Sequence, residues 1–114
     1  MAQIDWKEFN EFYKIYDKET VTEVINMFID EYEEKISSLE KNIAEKDLEK
    51  VNFWAHKLKG AVANNHARYG VILLQCIEDM AQINQYKLIP VIFEEVKVVT
   101  KELLLELEEY LKKR

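Results

Sequence analysis

The 114 residues of this chain suffice for one domain with a single hydrophobic core, since 48% of them are hydrophobic. Two glycines and one proline are too few for a protein built from sheets and tight turns. A net charge of −6 and a pI near 5.0 argue against nucleic acid as a partner, because no basic surface is available to neutralise phosphates.

Neither a signal peptide nor a membrane span is visible in the sequence. The first ten residues, MAQIDWKEFN, are polar and lack an apolar signal-peptide core. The longest apolar runs, 71–74 and 88–93, are too short to cross a bilayer. We therefore expect a cytoplasmic protein that does not insert into membranes.

Apolar residues recur at helical spacing in five segments, of which the first three cover the N-terminal half. The first segment, about 5–16, is short and aromatic, begins at Asp5 as N-cap, and suits a lid on a bundle. The second runs over about 20–45 with a sustained apolar seam. The third follows Asp47, which has the side chain of an N-cap, and continues to about residue 65.

The fourth and fifth segments complete the helical pattern. The fourth spans about 67–85, and the residues predicted to face inward are Tyr69, Leu73, Cys76, Ile77 and Met80. Cys76 is the only cysteine, so no internal disulfide can form, and we expect a buried structural thiol. Pro90 fits the first turn of the fifth helix, where its missing N–H costs nothing.

Four long amphipathic helices with short connections predict the fold class. We expect an all-α protein, namely an antiparallel four-helix bundle with a short additional N-terminal helix. The sequence has no repeats, low-complexity stretches or linkers. A single domain over residues 1–114 is therefore predicted.

His56 lies on the polar side of the third predicted helix. The apolar side of that helix centres on Val51, Ala55, Leu58 and Val62. At 100° per residue, His56 projects about 120° away from that centre. Within about 60° of His56 lie charged, polar, aromatic and small residues: Glu49, Asn52, Phe53, Lys59, Gly60 and Ala63.

Gly60 and Phe53 make this face unlike a purely solvated one. A glycine in mid-helix lowers helix stability by roughly 1 kcal/mol relative to alanine. A phenylalanine is also uncommon on a helix face that contacts only solvent. Gly60 and Ala63 would flatten the surface beyond the imidazole and admit a partner. Alternatively, Gly60 permits close packing of a neighbouring helix. The sequence alone leaves both interpretations open.

The chemistry available at this face is nucleophilic. A neutral imidazole is a competent nucleophile near pH 7. Its attack on phosphorus needs no further catalytic group if the phosphoryl donor is already activated. Lys59, one turn from His56, would offset charge on a transferred group. Lys50 and Lys57 border the site, and ordinary solvated lysines are the simpler interpretation of both.

A shared metal site is the competing hypothesis, and spacing argues against it. His56 and His66 are ten residues apart, about 15 Å along a continuous helix. No cysteine or carboxylate cluster has ligand spacing with either histidine. We assign no metal, and we interpret His66 as a helix-end or packing residue.

Residues 54–60 resemble the signature of histidine phosphotransfer (HPt) domains, the relay proteins of multistep two-component signalling. The positions that match the core motif in order and spacing are Ala55, His56, Leu58, Lys59 and Gly60. An apolar Val51 before the motif and Asn64 in the last turn of the helix also fit. The motif covers about ten residues, whereas the helical pattern fits over the whole chain.

The resemblance implies a role for each matching residue. His56 would be the phosphoacceptor, Lys59 a phosphoryl-stabilising neighbour, and Gly60 the opening that admits the partner. The partner-binding surface would consist of Asn52, Phe53, Lys57, Gly60 and Ala63.

The expected partners are response-regulator receiver domains and a hybrid sensor histidine kinase. The resemblance implies a phosphoryl carrier without a kinase active site or cofactor, because the magnesium ion of such pairs belongs to the receiver. We expect a monomer. The alternative is a helical bundle that binds receiver domains or other proteins without phosphotransfer.

One position departs from the HPt pattern. A second glycine usually follows the phosphoacceptor by ten residues, and here that position is His66. The expected consequence is a different geometry at the end of the third helix, with altered binding preference and unchanged chemistry at His56.

Overall fold

The chain folds into five α-helices with no strand among the residues described, 2–113, of the computed structural model. The helices are α1 (Trp6–Tyr13), α2 (Lys18–Ala44), α3 (Leu48–Ala63), α4 (Arg68–Gln82) and α5 (Ile89–Lys112). The four long helices form a closed ring in which α2 packs on α3, α3 on α4, α4 on α5 and α5 on α2. The predicted all-α four-helix bundle with a short N-terminal helix is confirmed.

Aspartate side chains start the first three helices. Asp5, Asp17 and Asp47 each accept a hydrogen bond from the backbone N–H three residues on, at 2.7–3.2 Å. Such N-caps satisfy amide groups that the helix itself leaves unpaired. The predicted caps at Asp5 and Asp47 are confirmed, whereas α2 begins two residues earlier than predicted because Asp17 caps it. Pro90 lies in the first turn of α5, as predicted.

The inward face predicted for α4 is wrong by one residue. The residues buried on α4 are Gly70, Leu74, Ile77, Glu78 and Ala81. Tyr69 is exposed, and Leu73, Cys76 and Met80 are only partly buried. Of the predicted set, Ile77 alone is fully buried, and the thiol of Cys76 is not a core group. One residue corresponds to a rotation of about 100° about the helix axis.

Gly70 explains part of the difference between the predicted and the observed buried face of α4. A Cβ atom at Gly70 would lie 2.9 Å from Val62 Cγ1 on α3 and 3.6 Å from Val99 Cγ1 on α5. The glycine therefore allows α4 to approach both neighbours closely. An exposed Tyr69 and a buried Gly70 reverse what hydrophobicity alone would suggest.

The short helix α1 covers one end of the bundle, as predicted for a lid. The Tyr13 hydroxyl donates a hydrogen bond to the Asn64 carbonyl at 2.8 Å, and the Asp5 N–H donates to the His66 carbonyl at 2.9 Å. Burial raises the pKa of Tyr13, which keeps its hydroxyl a neutral donor. The Trp6 ring stacks on Tyr110 of α5 at 5.0 Å between centroids. These contacts anchor the lid to the ends of α3 and α5.

His66 takes the backbone conformation that glycine favours. Its φ of 56° lies in the left-handed region. Its Nδ1 lies 2.8 Å from Glu8 Oε1, and its ring packs against the Phe9 and Tyr13 rings. The prediction of a helix-end and packing role for His66 is confirmed. His66 adopts this left-handed conformation despite its side chain, and contacts with α1 hold it.

No helix in the range 2–113 is both long enough and apolar enough to pass through a membrane.

Candidate functional site

His56 lies in the middle of α3 with 69% of its side chain exposed. The four residues predicted for the apolar side of this helix have no exposed surface: Val51, Ala55, Leu58 and Val62. The predicted offset between the histidine and the buried face of α3 is confirmed. Burial of that face anchors the backbone of α3, so the position of the imidazole is determined by the core.

One ring nitrogen of His56 contacts a buried carboxylate on the next helix. The Nδ1 atom lies 3.0 Å from Glu78 Oε1 on α4, and the Glu78 side chain is only 5% exposed. An ionised carboxylate can only accept hydrogen bonds, so in the pair formed with ionised Glu78 the Nδ1 atom donates and carries the ring proton. The Nε2 atom then holds the free lone pair. No residue in the described range 2–113 hydrogen-bonds to Nε2.

Lys59 is held by the same carboxylate. Its Nζ lies 2.7 Å from Glu78 Oε2 and donates to Gln75 Oε1 at 2.6 Å. Gln75 in turn donates to Asp79 Oδ1 at 2.8 Å. Lys59 is therefore next to His56, as predicted, but it leans toward α4 and only 19% of its side chain is exposed. Its charge balances that of the buried carboxylate, which would otherwise be costly.

A groove of about 590 Å³ runs between α2 and α3 on the other side of His56. Met27 and Phe28 line it from α2, and His56, Lys57 and Gly60 line it from α3. Met27 is 60% exposed, although it is a large apolar residue. His56 thus lies between the open groove on the α2 side and a buried polar network on the α4 side.

Gly60 faces open space. A Cβ atom built on Gly60 would meet nothing within 4 Å outside the local backbone of its own helix. The interpretation of Gly60 as a contact point for a neighbouring helix is therefore wrong. Gly70 has that packing role instead, and Gly60 leaves the surface beside His56 low.

The predicted partner surface is divided between the two sides of His56. Phe53 and Lys57 lie on the α2 side, where the Lys57 ammonium is 5.4 Å from the centre of the Phe53 ring. Asn52 points toward α4 and accepts a long hydrogen bond of 3.4 Å from Gln82. Ala63 is exposed but lines a separate hollow at the start of α4. Ala63 is thus not brought into the groove.

Glu78 and Gln75 are site residues that the sequence analysis missed. The available signal was a glutamate at helical spacing with Leu74, Ile77 and Ala81. A carboxylate on an apolar face is rarely buried unless it is paired. Because the buried face of α4 was predicted one residue too early, Glu78 was not among the residues predicted to face inward.

The residues in the range 2–113 include no group of three or more His, Cys, Asp or Glu side chains placed to hold a metal ion. Each histidine is instead paired with one glutamate, His56 with Glu78 and His66 with Glu8.

Alanine substitutions at the two glycines are expected to change the free energy of unfolding in opposite directions. Gly60→Ala should raise the free energy of unfolding by about 0.5–1 kcal/mol, because helix propensity improves and the space is open. Gly70→Ala should lower it by up to about 2 kcal/mol, since overpacking against the stiff Val62 side chain outweighs the gain in propensity. Urea unfolding followed by circular dichroism measures both. Equal shifts in the two variants would contradict the assignment of open and packed sides.

Comparisons with known proteins identify the family and the fold. The family model of the Hpt domain matches residues 23–113. Among solved structures, the crystal structure of histidine-containing phosphotransfer protein B (HptB) from Pseudomonas aeruginosa PAO1 is similar, with a TM-score of 0.90 at 15% sequence identity. The alignment covers 98% of this chain and 96% of that chain. At that identity the likeness shows the fold alone. A search of curated proteins found no match.

Proposed function

Because the chain belongs to the Hpt domain family, we propose that it is a phosphorelay intermediate that carries a phosphoryl group on His56. The group would arrive from the aspartyl phosphate of one receiver domain and pass to another. The observation that supports this most is the exposed His56 ring, whose Nδ1 is engaged by Glu78 while Nε2 remains free. In this proposal the protein is a carrier, and phosphorylation of the first donor is done by its partner kinase.

The transfer step needs little from this chain. The Nε2 lone pair attacks phosphorus, the N–P bond forms, and the P–O bond to the receiver aspartate breaks with the electron pair leaving on the carboxylate. Transfer to the second receiver is the reverse reaction with a different carboxylate. Catalysis in phosphoryl transfer rests mainly on positioning and charge, which a rigid helix and a nearby lysine can supply.

The α2–α3 groove is the proposed docking surface for the receiver. It combines exposed apolar area at Met27 with the positive charge of Lys57, next to His56. Phe53 is exposed beside the groove, with its ring 5.4 Å from the Lys57 ammonium. Apolar patches of this kind mark partner sites more often than idle surface. Gly60 lowers the wall of the groove, so a receiver can bring its aspartyl phosphate to Nε2.

The remaining parts of the proposal concern context. We propose one domain over residues 1–114, acting as a monomer in the cytoplasm, with a hybrid sensor histidine kinase upstream. Asn52 and Ala63 lie on the α4 side of His56 and would contact the edge of a docked receiver.

Lys59 is proposed to steady the transferred phosphoryl group. Replacing it with glutamine should slow transfer to His56 about ten- to a hundredfold, the worth of one charged hydrogen bond in the transition state. Lys59→Arg should retain part of the rate, because the charge persists on a differently shaped group. Rapid-quench transfer assays measure the rates. Lys97→Gln on α5 is the control, and a wild-type rate for Lys59→Gln would reduce Lys59 to a partner of Glu78.

The direct test of the function is transfer from labelled receivers. Each receiver domain of the source organism is phosphorylated, purified, mixed with the chain, and followed by gel autoradiography. We expect at least one receiver to pass its label within seconds and a second receiver to remove it. Stable complexes without label transfer would favour the alternative of a binding module that is not phosphorylated.

A further inference from the structure

One buried carboxylate connects the two charged groups of the site. Glu78 Oε1 lies 3.0 Å from His56 Nδ1, and Glu78 Oε2 lies 2.7 Å from Lys59 Nζ. Its side chain is 5% exposed, so water contributes little to neutralising it. The imidazole that attacks phosphorus is the neutral form, which has a free lone pair, so Lys59 supplies the positive charge that balances Glu78.

The charge balance changes when the ring is phosphorylated. Attack by Nε2 on phosphorus uses the ring's lone pair, and the Nδ1 proton stays where Glu78 holds it. The phosphorylated ring therefore becomes an imidazolium, and the phosphoryl group brings two negative charges in its fully ionised form. Glu78 then lies beside two cations, the imidazolium of His56 and the ammonium of Lys59. The negatively charged phosphoryl oxygens lie near Lys59 and lack a positive partner.

We propose that Glu78 is a positioning residue that exchanges counterions during transfer. It first holds the imidazole with Nε2 outward, and then becomes the partner of the imidazolium as Lys59 moves from the carboxylate to the phosphoryl oxygens. The inference rests on the proposed function of His56. It adds that Lys59 pairs with Glu78 before transfer and leaves the carboxylate when the positive imidazolium and the negative phosphoryl group form.

Geometry supports each part of this exchange. Lys59 and His56 are one turn apart on α3, so the ammonium can reach a group attached to the ring by rotation of its flexible side chain. Gln75, anchored by Asp79, also holds the ammonium in the resting state. The competing interpretation is a buried ion pair that only fastens α3 to α4.

Two variants separate orientation from charge. Glu78→Gln keeps an amide oxygen that can accept from Nδ1 but removes the negative charge. Glu78→Ala removes both. The matched control is Glu8→Gln, which removes the carboxylate of the other histidine pair, at His66. Circular dichroism and thermal unfolding verify that each variant is folded. If Glu78→Ala does not fold, the isosteric variant Glu78→Gln is sufficient for the test.

The first readout is the tautomer of His56, measured by long-range ¹H–¹⁵N correlation at pH 8. We expect the Nδ1–H form in the wild type, in Glu78→Gln and in Glu8→Gln, and a mixture of tautomers in Glu78→Ala. An Nε2–H form in the wild type would overturn the proposal. This measurement does not involve phosphorylation, so its failure is distinguishable from failure of the proposed function.

The second readout is the transfer rate from a phosphorylated receiver. Loss of a partner that orients a metal-bound histidine typically costs ten- to a hundredfold, and by analogy we expect about tenfold for Glu78→Gln and about a hundredfold for Glu78→Ala. Glu8→Gln should transfer at the wild-type rate. Wild-type rates in both Glu78 variants, with His56 still labelled, would overturn the positioning role and leave the function of His56 standing.

The third readout is the ¹⁵Nζ resonance of Lys59 before and after phosphorylation. We expect it to shift in the wild type, while that of Lys97 on α5 stays unchanged. An unmoved Lys59 signal in protein labelled on His56 would show that the lysine remains with Glu78, which would overturn the exchange of counterions.

Discussion

Replacement of His56 by glutamine is expected to abolish phosphoryl acceptance and to leave the fold intact. Glutamine has a similar length and can hydrogen-bond, but its amide nitrogen is not a nucleophile. The side chain of His56 is 69% exposed, and surface substitutions of this kind usually change stability by no more than about 0.5 kcal/mol. Label transfer from a phosphorylated receiver and urea unfolding measure the two effects.

The other histidine supplies the matched control. His66→Gln should still accept the phosphoryl group, because His66 lies under α1 and pairs with Glu8. It should lower stability, since the ring packs against Phe9 and Tyr13. The two variants are therefore expected to show opposite patterns. Undiminished labelling of His56→Gln would place the acceptor elsewhere in the chain.

Gly60→Gln is expected to slow transfer by at least tenfold while the protein becomes more stable. The new side chain would extend into open space beside His56, where the proposal places the incoming receiver. A receiver whose reactive group is displaced by about 1 Å can lose a hundredfold in rate. The helix itself should gain roughly 0.5–1 kcal/mol. Transfer kinetics and binding of the receiver, measured by calorimetry, test the effect.

Gly60→Ala separates the size of the side chain from the loss of glycine. It gives the same gain in helix propensity but adds one methyl group, so transfer should remain near the wild-type rate. If Gly60→Gln also transfers at the wild-type rate, Gly60 is not part of the contact with the receiver.

The fold could be predicted from the sequence because its signals are local and repeated. Aspartates at the starts of helices, a proline in the first turn of α5 and apolar seams of period 3.6 all act within one helix. The exposure of His56 followed from the same periodicity, since the buried face of α3 is uniformly apolar.

The face of α4 was misplaced because its burial depends on other helices. Gly70 is buried because Val62 and Val99 approach it, and Glu78 is buried because His56 and Lys59 pair with it. Neither partner is visible in the sequence of α4 itself. Hydrophobicity favoured Tyr69 and Cys76, and because of that error Glu78, whose carboxylate contacts the His56 ring, was not predicted to be buried.

His66 is a non-glycine residue in the left-handed region at the end of α3. The sequence suggested an altered end of α3, because a histidine replaced the usual glycine. The left-handed conformation of His66 is stabilised by Glu8 and the aromatic rings of α1. Contacts from a helix more than fifty residues away in sequence were not deducible from the motif.

In the proposed function the phosphoryl group is carried on Nε2 of His56. The most direct measurement is to phosphorylate the chain with a receiver and map the modification at alkaline pH. Tandem mass spectrometry locates the residue, and ³¹P–¹H correlation identifies the ring nitrogen. We expect one acid-labile phosphoryl group, on His56, bonded to Nε2. A phosphoryl group on any other residue, on Nδ1 of His56, or no uptake from any receiver would contradict it.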